Sequence, residues 1–175
     1  MLHCRIEGIA ADENLLRRWQ SASTIWLASL PGAAAARQLH EAFALYLDRC
    51  DGAARLIVLA DAPPADIALL RAAVAKARID AHVELLVAQP PATVKAALLS
   101  ADALLASTGD PLVEAAMAVG TPIVAFGASG GFEAALSWSD DDPALLAASV
   151  EHLRGDAGLR AQLRSRGFAR VGGAP

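Results

Sequence analysis

ADALLASTGDPLVEAAMAVGTPIVAF, residues 101–126, predicts a strand, a helix and a second strand in immediate succession. The apolar runs at its two ends are short and bounded by turn residues, as buried strands are. Between them Asp110 suits the N-cap of a helix, Pro111 its first position and Gly120 its end. The stretch is therefore typical of a β-α-β unit, in which a crossover helix joins two parallel strands.

Short apolar runs and longer helical runs alternate along most of the remaining chain. The predicted strands occupy 24–28, 55–60, 82–88, 103–106 and 121–126. The predicted helices occupy 33–49, 66–77, 93–99, 111–120, about 143–153 and about 158–167. Strands such as RLIVLA at 55–60 are apolar at nearly every position, and they need helices over both faces. We therefore expect an α/β fold with a single doubly wound, Rossmann-like parallel sheet flanked by helices.

The same pattern predicts one domain over residues 1–175. It comprises a lead-in segment at 1–23, the sheet with its crossover helices at 24–140, and C-terminal helices at 141–170. Ligands of such sheets bind beyond the carboxyl ends of the strands. The loops after the first, fourth and fifth strands are thus the candidate site.

Composition excludes several classes of protein. Hydrophobic residues make up 55% of the chain and charged residues 19%, which is inconsistent with a disordered protein. The net charge is −4 and no run of Lys or Arg occurs, so we expect no nucleic-acid partner. Cys4 and Cys50 lack the spacing of a metal or disulfide motif, which favours a cytoplasmic protein without a metal site. No secretion signal or transmembrane segment is expected.

Glu114 is the one charged residue in the apolar helix that begins at Pro111. Two interpretations are open. A carboxylate in a first turn stabilises the helix dipole and can simply face solvent. Alternatively, it accepts hydrogen bonds from sugar hydroxyls while the open N–H groups of the helix start hold phosphate.

The stretch GDPLVEAAMAVGTPIVA at 109–125 resembles the E-G-F-G-x-P-x-x-E-A-M-A-x-G-x-P-V-V-A motif of family 4 retaining glycosyltransferases (glycosyl transferases group 1), which have the GT-B fold. DPALL at 142–146 and DAGLRAQLRSRG at 156–167 resemble the helices that end the donor-binding domain of that family. The resemblance covers about 24–171. It implies a C-terminal, donor-binding domain in which Glu114 binds the ribose hydroxyls.

The resemblance also implies further binding residues. A nucleoside diphosphate sugar is the donor substrate, with no separate cofactor. The backbone of the loop before the helix would lie near its phosphates, and a glycine turn after the fifth strand near its sugar. The implied residues are Ser107, Thr108, Gly109, Asp110, Pro111, Gly130 and Gly131.

Two departures from the family pattern affect the expected activity. Ala106 stands where the family has the first Glu of its motif, and SLPGAA at 29–34 replaces a loop whose Arg and Lys neutralise the diphosphate. The catalytic motif is thus degenerate, and missing cations remove a large electrostatic contribution to transfer. We expect hexosyl transfer to need an N-terminal acceptor domain or a partner subunit. A non-catalytic interaction domain is the alternative.

GASGG at 127–131 also matches the G-x-S-x-G motif of serine hydrolases, with Ser129 as nucleophile. Such an enzyme needs a His downstream, and His152 is the one candidate. His152 lies in a predicted helix, where an exposed surface role is the simpler interpretation. The esterase remains a second alternative.

Overall fold

The computed structural model describes residues 6, 8–20, 22–29, 33–50, 53–107, 109–126, 133–138 and 142–172. The strands are β1 (Thr24–Ser29), β2 (Ala54–Ala60), β3 (Val83–Val87), β4 (Ala103–Ser107), β5 (Ile123–Phe126) and β6 (Leu136–Trp138). The helices are α1 (Glu13–Trp19), α2 (Ala33–Arg49), α3 (Pro64–Lys76), α4 (Pro91–Ser100), α5 (Pro111–Val119), α6 (Pro143–Gly155) and α7 (Ala157–Val171), with a 3₁₀ turn at Asp80–His82.

The six strands form one sheet in the order β3-β2-β1-β4-β5-β6. Every neighbouring pair is parallel. The chain leaves β1 toward β2 and β3, then returns to lay β4 on the other side of β1. This reversal makes a topological switch point between β1 and β4, so the predicted doubly wound α/β fold is confirmed.

Both faces of the sheet are buried. Trp26 of β1 faces a core shared with α2, α3 and α6, where its ring meets Phe43 edge-on at a centroid distance of 5.4 Å. Its neighbour Leu27 faces the opposite core, which includes residues of α1, α4 and α5. Successive residues of a strand point to opposite faces, so an all-apolar strand requires both helical layers.

Helix α5 is bounded as its sequence predicts. Asp110 caps its start and Gly120 ends it with a left-handed backbone (φ 78°). Helix α7 packs against this end, where a Cβ on Gly120 would lie 2.9 Å from Cζ of Phe168. Gly120 is therefore needed both for its backbone conformation and for the close approach of α7.

Several helix boundaries differ from the predictions, and three of these differences have a clear physical reason. Helices α3 and α4 begin at Pro64 and Pro91, two residues early, because proline is compatible with the first turn of a helix. Helix α7 continues past Gly167 to Val171, and Gly172 provides its left-handed cap (φ 71°). Gly167 is instead a packing position against α5.

The lead-in segment at 1–23 contains helix α1, which the sequence analysis misses. Trp19 is fully buried, and its Nε1 donates to Oε2 of Glu84 in β3 at 3.0 Å. The backbone N–H of Asp12 donates to the carbonyl of Ala92 in α4 at 3.3 Å. Helix α1 therefore covers one face of the sheet.

The sixth strand is the other element that the prediction misses. Strand β6 has three residues, and it pairs in parallel with β5 over Val124–Phe126. Such a short segment has no measurable periodicity, and its pairing partner alone makes it a strand. Among the described helices, none has the length and apolar character that crossing a bilayer requires.

Replacing Gly167 by leucine should destabilise the contact of α5 with α7. A Cβ at Gly167 would already lie 3.3 Å from Cγ and 3.5 Å from Cα of Met117. We expect Gly167→Leu to lower the free energy of unfolding by about 1–3 kcal/mol, measured by denaturant titration. Gly155→Leu is the control, since a Cβ at Gly155 meets nothing within 4 Å. Equal stability of the two variants would contradict the close packing.

Truncating Trp19 tests whether α1 belongs to the domain. Trp19→Ala should lower the free energy of unfolding by about 3–5 kcal/mol, because it leaves a cavity and removes the donor to Glu84. Arg17→Ala, on the exposed side of the same helix, should change it by less than about 0.5 kcal/mol. If both variants unfold at the denaturant concentration of the parent chain, α1 does not contribute to the core.

Candidate functional site

A cavity of about 240 Å³ opens at the carboxyl edge of the sheet. It lies where β1, β2 and β3 end and α5 begins, beside the switch point where doubly wound sheets bind ligands. Its described lining residues are Ser29, Leu59, Ala60, Asp61, Leu86, Ala88, Gln89, Val94, Asp110, Pro111 and Leu112.

The walls of the cavity are mostly apolar, and the polar groups lie where the strands end. Leu59, Leu86 and Val94 supply apolar surface. Nε2 of Gln89 donates to the carbonyl of Val87 at 2.9 Å, which orients the amide and leaves Oε1 as an acceptor. An apolar pocket with a few oriented polar groups is the usual form of a small-molecule site.

The turn after β3 brings a strained residue to this cavity. Ala88 has a left-handed backbone with φ 49°, which side chains other than glycine rarely adopt. Such strain persists only where the surrounding structure holds it, and it is concentrated at ligand sites. The position of Ala88 in the lining is consistent with a binding role for this turn.

The N–H groups at the start of α5 are already paired. Pro111 has none, and the N–H of Leu112 donates to Oδ1 of Asp110 at 2.8 Å. The N–H of Val113 donates to the carbonyl of Asp110 at 3.0 Å, while that of Asp110 donates to the carbonyl of Ser107 at 3.0 Å. The carboxylate of Asp110 thus occupies the place that a bound anion takes at an open helix start.

Glu114 is exposed on α5 and is not among the residues that line the cavity. It lies four residues, or about 6 Å along the helix axis, beyond Asp110. No described residue forms an ion pair with it. This placement suits a carboxylate that faces solvent. It is also compatible with a ribose contact, which stays a prediction, but the N–H groups expected to hold phosphate beside it are already paired.

The other predicted residues fall into three groups. Pro111 and Asp110 line the cavity, while Ser107 is half-buried at the end of β4 and Gly109 is exposed. Thr108, Gly130 and Gly131 lie outside the described residues, as does Ser129. His152 is exposed on α6.

Ala106 is fully buried inside β4, in the core that α4 and α5 cover. Its side chain therefore does not reach the cavity. The chain has no carboxylate at this position, and a longer charged side chain would have to enter an apolar core.

The half of the cavity built by β2 and β3 was not predicted from the sequence. Asp61 directly follows β2, and Gln89 follows Ala88 at the end of β3. Both residues could have been found from the sequence, because the carboxyl ends of parallel strands lie at the same edge of the sheet. A polar residue that directly follows a strand therefore lies at that edge. The predicted site included only the loops after the first, fourth and fifth strands.

The charge of this cavity is negative. Asp61 and Asp110 are its acidic lining residues, and no Lys, Arg or His appears among the described residues that line it. Within the described part of the chain, no group of three or more His, Cys, Asp or Glu residues is placed to hold a metal ion.

No protein-family model matches the sequence, and no curated protein matches it. Similarity to solved structures is extensive. The C-terminal domain of a glycosyl transferase group 1 family protein (LpcC) from Francisella tularensis is 18% identical with a TM-score of 0.71, and the match covers 95% of each chain. Anabaena HepE, solved in complex with UDP-glucose, is 15% identical with a TM-score of 0.70 over 95% of this chain and 50% of that one.

A third similar structure is described as a putative UDP-N-acetylglucosamine 2-epimerase from Listeria monocytogenes. It is 12% identical with a TM-score of 0.66, over 86% of this chain and 41% of that one. The chain thus spans about half of these longer proteins, or less, and nearly all of the isolated Francisella domain. At such identities the likeness establishes fold and not reaction. The chain has the fold of the C-terminal domain of GT-B glycosyltransferases.

Proposed function

We propose that this chain is the donor-side domain of a glycosyltransferase and that its carboxyl-edge cavity binds part of a nucleoside diphosphate sugar. The observation that carries the proposal is the position of the cavity. It lies beside the switch point between β1 and β4, in a fold shared with a protein solved in complex with UDP-glucose. Ligands of open α/β sheets bind at such points.

The cavity suits the nucleoside end of that donor. A planar base fits against the apolar side chains of Leu59, Leu86 and Val94. Oε1 of Gln89 is placed to accept a hydrogen bond from a base N–H. In this arrangement the ribose lies toward α5, where Glu114 accepts from its hydroxyls.

The small volume of the cavity supports a binding site that a second domain or subunit completes. Its volume is about 240 Å³, below the range of roughly 300–1,000 Å³ that is typical of complete small-molecule sites. We propose that an N-terminal domain or a partner subunit encloses the rest of the donor and binds the acceptor. Transfer would break the bond from the sugar to the diphosphate and form one to the acceptor hydroxyl.

A second candidate function is a non-catalytic domain that keeps the fold for protein interaction. Two observations favour it: Ala106 is buried, and the described cavity lining has no cation. A domain without a cation at the diphosphate lacks a large part of the stabilisation that transfer needs. Ligand binding distinguishes the candidates, because only the donor-side domain retains a nucleotide site.

Titration of the full chain with UDP-, GDP- and ADP-glucose tests the proposal. We expect one of the three to bind, detected by ligand-observed NMR, which is sensitive to weak complexes. Glu114→Gln should weaken this binding by about tenfold or more, because a hydrogen bond to a charged acceptor contributes about 1.5–3 kcal/mol. Glu13→Gln, a first-turn glutamate of α1, is the matched control and should bind as the parent chain does.

Two results would count against this assignment. If none of the three donors binds at millimolar concentration, the interaction domain is the better account. If a donor binds and Glu114→Gln behaves as Glu13→Gln does, the cavity is retained and the ribose contact of Glu114 is wrong.

A further inference from the structure

In the sequence, the segments that directly follow strands β1 to β5 contain no positively charged residue. The segments after β1 to β5 are 30–32 (LPG), 61–63 (DAP), 88–90 (AQP), 108–110 (TGD) and 127–132 (GASGGF). None contains Lys, Arg or His, and two contain an aspartate. Of these segments the structure describes 61–63, 88–90 and 109–110, and their side chains offer a negatively charged ligand no neutralising charge.

Two carboxylates line the cavity itself. Asp61 is exposed at the end of β2, and Asp110 is half-buried at the start of α5. Asp61 has no ion-pair partner among the described residues. Like charges a few ångströms apart near a protein surface repel each other strongly enough to affect binding.

The start of α5 does not supply the missing positive charge either. An open helix start attracts phosphate through its unpaired N–H groups. At α5 the proline has no N–H, and the carboxylate of Asp110 accepts the N–H of Leu112 at 2.8 Å. The positive end of the helix is thus already neutralised by a resident anion.

We propose that this cavity selects the uncharged nucleoside of the donor and disfavours its diphosphate, whose counter-charge comes from another domain or subunit. The inference rests on the proposed function and names the part of the donor that this chain itself holds. It also specifies the partner surface. A partner that completes the site must present Lys or Arg toward the carboxyl edge of the sheet.

The test compares each nucleoside with its own diphosphate on the full chain. Uridine, guanosine and adenosine are titrated beside UDP, GDP and ADP, with EDTA present so that no divalent cation bridges phosphate to Asp61 or Asp110. We expect the preferred nucleoside to bind at least as tightly as its diphosphate. A diphosphate that binds tenfold more tightly than its nucleoside would overturn the inference and leave the proposed function standing.

Asp110→Asn removes the negative charge and keeps the helix cap, because asparagine caps a helix as well as aspartate does. The ratio of diphosphate to nucleoside affinity should rise by about tenfold, which corresponds to about 1.4 kcal/mol. Asp142→Asn is the matched control: Asp142 precedes Pro143 and caps α6 with the same geometry, accepting from the N–H of Ala144 at 2.8 Å.

A melting temperature equal to that of the parent chain in both variants would show that the caps are intact. An unchanged ratio in Asp110→Asn, or an equal rise in Asp142→Asn, would contradict the role of Asp110. If no nucleoside and no diphosphate binds the parent chain, the proposed function fails and the inference fails with it.

Discussion

Burial of both faces of one parallel sheet is the constraint on which the rest of this structure depends. Trp26 and Leu27, adjacent in β1, belong to separate apolar cores. With helices over both faces, polar chemistry is confined to the edges of the sheet. The strand order reverses between β1 and β4, and the cavity opens beside that reversal.

Much of this fold could be predicted from local sequence signals. Asp110 and Gly120 bound α5 in the structure as their side chain and backbone preferences predict. The predictions are wrong where tertiary contacts, rather than local sequence, determine the structure. Glycine often ends a helix, but Gly167 lies in the middle of α7, where it allows the close approach of α5. The short elements α1 and β6 exist through their packing partners, Trp19 in the core being the clearest case.

The site was only partly predictable for a similar reason. Pro111 and Asp110 were identified from a sequence motif, and both line the cavity. Asp61 and Gln89 carry no motif, since their relevance comes from strand order alone. The motif at the start of α5 also predicted an anion-binding site that the structure shows to be occupied by a side chain of the chain itself. The residue that makes α5 well capped, Asp110, is the residue that occupies its anion-binding end.

The proposed nucleoside site is tested most directly by mapping the changes in backbone amide chemical shift when the preferred nucleoside is added to the full chain. A nucleoside site at the carboxyl edge predicts the largest shifts at the strand ends and helix start around the cavity, namely Ser29, Asp61, Ala88, Gln89 and Leu112. Shifts concentrated at the opposite edge of the sheet, or on the outer helix faces, would contradict a nucleoside site at the carboxyl edge.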